Sequence, residues 1–147
     1  MAQTAGRRVQ ERSGKTHGHP VATDAVIHQG GAVVLKSGFA IAGRSGIGAD
    51  NAAKAADAAT LQVVGVAKES VTGGATDGAV RVEATAGTFL FDNLGGDAVT
   101  RADIGKPCFL VDDETVGRTN PNNTRARAGI VDDLEDAGVW VRIGAGV

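Results

Sequence analysis

The chain predicts an all-β fold: a small β-sandwich or β-barrel-like domain with long Gly-rich loops, one or two short helical turns and an extended N-terminal arm. Three observations lead there. Short apolar or alternating segments recur at short intervals between Gly-rich breaks, which is the pattern of many short strands. One stretch, Val80–Thr85, alternates cleanly, with Val80, Val82 and Ala84 on one side and Arg81, Glu83 and Thr85 on the other; a period of two marks a strand with one buried face. Finally, 22 of the 147 residues are glycine, which weakens strand interiors and favours turns, so the strands are expected to be short and joined by Gly-rich turns.

Residues 1–24 read as an arm. They lack apolar periodicity, and such a segment cannot bury enough surface to fold alone. Arg7, Arg8, Arg12 and Lys15 stand against Glu11, so residues 1–20 carry +3, while the remainder has 11 basic and 16 acidic residues, or −5. A basic arm on an acidic body does not have the composition of a nucleic-acid-binding domain. His17 and His19 form an H-x-H pair, with His28 beyond, but no third or fourth ligand stands at a workable metal spacing.

The β-rich domain is expected over residues 25–147. Ala25–Ala42 reads as a hairpin, with Val33, Leu35, Phe39 and Ile41 at alternate positions, Ser37-Gly38 as the tight turn and Gly30-Gly31 leading in. Gly43–Thr60 is a loop followed by an Ala-rich helical turn at Asn51–Ala59, capped by Asp50. GRSGIG within it has no strand and long helix around it to support a nucleotide site.

Leu61–Asn93 is the stretch around which the rest is organised. Leu61–Ala67 is an apolar run and Ser70–Gly78 a Gly-rich loop. After the Val80–Thr85 alternation the phase slips, because Phe89 and Phe91 become the apolar positions. Ala86–Gly87 is therefore expected to be a β-bulge or a barrel corner. Val80, Val82, Ala84, Phe89 and Phe91 are expected to share one core.

Thr100 and Asp103 predict one capped helical turn, with Lys106-Pro107 ending it before a strand at Cys108–Val111. Asp112, Asp113 and Glu114 lack the alternating ligands and glycine of a calcium loop and read as a solvated turn. Gly117–Arg127 is polar, turn-forming and without a core role; it holds an N-N-T sequon at Asn122, inert in an unsecreted protein. Ala128–Val131 is a strand, Asp132–Gly138 an acidic turn, and Val139–Ile143 a strand with Val139, Val141 and Ile143 on one face and Trp140 and Arg142 on the other. Trp140 has two readings, packing under a loop of its own domain or anchoring an interface.

The single cysteine, Cys108, cannot form an intrachain disulfide and sits in an apolar string. No apolar run approaches membrane-spanning length, so no membrane partner is expected. No Ser/His/Asp or Cys/His set points to an enzyme, and no cofactor is expected. Aromatics make up only 3% of the chain, a thin core for its length, so association with copies or a larger partner is expected to add stability.

From Gly30 onward, the succession AVVLKSGFAIA, LQVVGVAKESV, VRVEATAGTFLFDN, ADIGKPCFLVDDETV and AGIVDDLEDAGVWVRIG resembles the small capsid decoration, or cement, proteins of tailed bacteriophages. Arg44–Ala59 departs in being longer and more Ala-rich, and the arm in being more basic. The resemblance implies a virion protein on the capsid exterior, often trimeric, that bridges neighbouring major capsid subunits. Arg7, Arg8, Arg12, Lys15, Trp140 and Arg142 are the candidate partner-binding residues, the arm cations being expected to meet an acidic groove on a neighbouring subunit. A carbohydrate- or receptor-binding β-module displayed on a particle is the alternative.

Overall fold

The computed structural model describes residues 3–10, 12 and 14–147; Met1, Ala2, Glu11 and Ser13, all in the expected arm, lie outside the described residues. The fold is all-β, with 42% of residues in strands and 10% helical.

The first sheet contains β1 (Thr16–Pro20), β3 (Ala32–Lys36), β4 (Phe39–Ala42), β5 (Leu61–Ala67) and β7 (Arg81–Thr85), in the order β1-β7-β5-β3-β4. Just past β1, Val21 bridges Ala40 of β4 in parallel, and the Ala22 N–H donates to the Ala40 carbonyl at 3.0 Å. The sheet thereby rolls up around Val21, Ile27, Val33, Ala40, Val64, Val82 and Ala84. A two-stranded ribbon, β2 (Val26–Ile27) with β6 (Val71–Thr72), accompanies it.

The second unit is a closed barrel of β8 (Gly87–Asn93), β9 (Pro107–Leu110), β10 (Thr115–Gly117), β11 (Arg127–Glu135) and β12 (Gly138–Ile143), ordered β10-β8-β12-β11-β9. Its core includes Phe91, Leu110, Val116, Val131, Val139, Val141 and Ile143 and is continuous with Ala32, Val34, Leu61, Val63 and Val66 of the first sheet. The β3–β5 pair thus has a core on each side, which is why β5 is an apolar run and not an alternation. Burial of each Val or Leu side chain contributes about 1.5–3 kcal/mol, so many small residues replace a few aromatics.

Several elements fall where the sequence puts them. The hairpin turns through Ser37 (φ 52°) and Gly38 (φ 84°) between paired Lys36 and Phe39, the two-residue turn that suits strand twist. Helix α1 (Asn51–Ala58) is capped by Asp50, whose carboxylate accepts from the Ala53 N–H at 2.8 Å.

Other expectations are corrected. The two-residue turn inverts the parity across the hairpin: Val34 faces Ile41 and Leu35 faces Ala40, so Val33 and Leu35 do not share a face with Phe39 and Ile41. Val82 and Ala84 lie in the first core and Phe91 in the second, and Val80 precedes the strand. They do not share one core, because at Ala86 the chain leaves one sheet and joins the other. Gly87 is absent from the positive-φ glycines; a Cβ there would meet the Phe89 ring at 3.3–3.4 Å. The arm is shorter than residues 1–24, since Thr16–Pro20 pairs with β7 and Val21 is fully buried.

Strand β11 runs on through the acidic residues to Glu135, with a register shift between Val131 and Asp133 that carries the carboxylates while Leu134 still packs on the core. At Gly129 the approach is close: a Cβ would stand 2.1 Å from the Arg142 carbonyl oxygen. Ala126, inside the segment expected to stay outside the core, is buried in it.

Candidate interaction surfaces

The six candidate residues fall into two groups. Arg7, Arg8, Arg12 and Lys15 are exposed, as is every residue from Gln3 to Gln10. Arg7 Nε donates to Gln3 Oε1 at 3.2 Å, and Val9 is 65% exposed. The arm leaves the body where the Lys15 carbonyl accepts from the Ala86 N–H at 2.9 Å, at the crossover between the two sheets. Its root is cationic. Arg81 on β7 donates through Nη2 to the Gly18 carbonyl at 2.8 Å. The His19 pKa lies below its ordinary value, chiefly because it is partly buried and further because His17, Arg81 and Arg12 are close.

Trp140 and Arg142 occupy the outer face of β12, as their alternation with buried Val139, Val141 and Ile143 requires. Trp140 is half-buried and stands opposite Leu90 on β8 and Asp133 on β11; Arg142 stands opposite Thr88 and Ile130. Leu90 is 43% exposed. Asp92 follows on the same face of β8, and Glu135 is opposite Gly138. Asp133 is paired with Arg101 at 3.3 Å; Asp92, Asp132, Glu135 and Asp136 form no ion pair among the described residues. The sequence named the Trp but missed Leu90, because β8 and β12 are 50 positions apart and only their pairing joins the two side chains. Among the described residues no hydrogen bond or ion pair joins the arm cations to Trp140 or Arg142.

The most enclosed carboxylates hold loops in place. Asp57 on α1 binds Arg44, Lys36 and the Ile47 N–H, and hydrogen bonding by Arg44 leads the causes that hold its carboxyl well below the ordinary range. For Asp97, burial opposes ionisation, but the Thr119 N–H and hydroxyl and Arg125 outweigh it and lower the pKa. Asp103 accepts from the Thr100 N–H at 2.8 Å and from Arg118 Nε at 3.2 Å, with its pKa lowered first by the backbone bond. These three nodes fasten the long loops to the strands.

Cys108 is fully buried, and burial pushes its thiol up to about 12, so it stays protonated and packs as a small apolar group. Among the described residues no three His, Cys, Asp or Glu side chains come together as a metal site; Asp112 accepts from the Glu114 N–H at 2.9 Å and closes a turn. A groove of about 380 Å³ opens at the crossover, lined by Phe89, Val66, Ala67, Thr85 and Lys68 among others. No helix is long and apolar enough to cross a membrane among the described residues. Comparison with known proteins finds no matching family, no matching curated protein and no matching solved structure.

Proposed function

We propose that this protein is a structural component of a viral capsid exterior, binding the assembled lattice and stabilising it by bridging neighbouring major capsid subunits. The observation that carries the reading is a pair of fused β-units with an exposed cationic arm at their junction and an outward Leu90–Trp140 patch on the barrel. Such a body offers separated contact surfaces, and the resemblance of its strand succession to capsid decoration proteins supplies the partner. A protein that binds only the assembled lattice stabilises that lattice by mass action. Several weak contacts held on one body act together, because the second forms at high effective concentration once the first is made.

The test is co-sedimentation with empty capsids of the phage encoding this chain, beside unassembled capsid subunits. Saturable binding to capsids and none to free subunits is expected; equal binding to both, or none to capsids, rejects the proposal. A glycan- or receptor-binding module is the second reading, favoured by the one half-exposed Trp with Asp92 and Asp133 around it. Retention on a glycan array without capsid binding selects it.

A further inference from the structure

We propose that the arm of one copy, centred on Arg7-Arg8-Val9, docks on the Leu90–Trp140 face of a second copy. The inference concerns the protein alone and does not rest on the capsid reading.

The two surfaces are complementary in both of their chemical features. Val9 is an exposed apolar side chain, 65% accessible, set between Arg8 and Gln10 with Arg7 and Arg12 nearby. Leu90, 43% accessible, and half-buried Trp140 opposite it form an apolar patch on the outer face. The carboxylates of Asp92 and Glu135 lie one step further along the same outer face, Asp132 sits in the register shift between Val131 and Asp133, and Asp136 is in the β11–β12 turn. None of these four has an ion-pair partner among the described residues. Arg142 lies on the opposite side of Trp140, facing Ile130 and Thr88, so the arm cations gain most on the Asp92–Glu135 side. Several charge pairs formed together around a desolvated apolar centre bind more firmly than scattered surface pairs.

The groove at the crossover lies nearer the root of the arm, but its charged residue is Lys68, the wrong sign for a basic segment. Reach also suits a second copy. Val9 lies six residues before Lys15, so an extended arm carries it about 20 Å from the body. The chain by itself leaves residues 3–10 exposed and Leu90 uncovered, so both halves of the contact are open.

The chain contains one Trp, so its fluorescence reports on this face directly. In the full-length protein, raising concentration is expected to shift Trp140 emission to the blue together with a rise in mass by sedimentation velocity, and about 0.3 M added salt to weaken association at least tenfold. The triple variant Arg7→Glu, Arg8→Glu, Arg12→Glu and the double variant Asp92→Lys, Glu135→Lys should each lose both signals. An equimolar mixture of the two should regain them, because a reversed arm then meets a reversed face. Should either variant fail to fold, a synthetic peptide of residues 3–15 added to the unaltered protein is expected to give the same blue shift. Emission and mass that do not change with concentration overturn the proposal. So does a blue shift independent of concentration and abolished by the triple variant, which places the arm on its own body. A mixture that stays monomeric overturns it as well.

Discussion

Thr85 and Gly87, separated by Ala86 alone, belong to different sheets: Thr85 faces Thr16 and Val66 in the first, and Gly87 faces Ile143 in the barrel. Ala86 is the link, and its N–H is held by the Lys15 carbonyl. The chain therefore passes from the first sheet to the barrel through a single short corner, at the root of the arm.

That corner has little room. A side chain at Gly87 must displace the Phe89 ring, which lies 3.3–3.4 Å from where a Cβ would sit. Gly87→Val is expected to lower unfolding free energy by about 1–3 kcal/mol through overpacking. In a Phe89→Leu background the cost should shrink by at least about 0.5 kcal/mol. Denaturant titration of the four proteins measures this coupling, and additive losses would show that the ring is not the obstacle.

The boundary of the arm is a second test. Deleting residues 1–14 removes no strand among the described residues, and stability should stay within about 0.5 kcal/mol of the intact chain. Deleting 1–23 removes β1 and the fully buried Val21, and should cost about 3 kcal/mol or more. Thermal unfolding of both truncations decides it; equal stability would mean that β1 contributes nothing to the sheet.

Asp57 ties the end of β3, the loop between β4 and α1, and α1 together through Lys36, Arg44 and the Ile47 N–H. Asp57→Asn keeps the shape but removes the charge shared by two cations, and should cost about 1–3 kcal/mol. Proteolysis between Gly43 and Thr60 should quicken in the variant. Unchanged cleavage would show that the loop is held by other contacts.

Acid should destabilise the protein in two steps. The folded-state pKa of His19 is lowered from 6.5, so the folded state disfavours its proton. Its contribution is complete above pH 6.5 and is lost as pH falls through the lower folded value. Asp57, lowered from 3.8, contributes fully above that value and loses its contribution further into acid. Melting temperature should be level above pH 6.5, dip below it, and fall steeply below pH 3.8. His19→Asn should remove the first step; Asp57→Asn should shrink the second and leave the part carried by Asp97 and Asp103, whose carboxyls are lowered as well. A melting temperature that rises on acidification through 6.5 would contradict the sign of the His19 shift.

Local chemistry was sufficient to read β5, the Ser37-Gly38 hairpin, the Asp50 cap and the two faces of β12, because each rests on neighbouring residues. The rest depends on distant partners. Thr16–Pro20 carries no apolar pattern, since it is an edge strand with half-buried side chains paired to β7. The phase slip at Ala86–Gly87 was visible, but a bulge and a change of sheet leave the same mark on a sequence. The carboxylates of β11 resemble a turn because a register shift carries them on the strand. Asp57, Asp97 and Asp103 gave no local sign that Arg44, Arg125 and Arg118 would reach them. On the barrel surface the alternation pointed to Trp140, whereas Leu90 became part of the same patch only through strand pairing.

Electron microscopy of the capsid proposed as its partner, incubated with saturating protein, tests the proposed function most directly. The account predicts added density on the capsid exterior at three-fold positions, spanning the boundary between adjacent subunits, with the two β-units recognisable within it. A lattice left bare, or density seated within single subunits and touching no boundary, would contradict it.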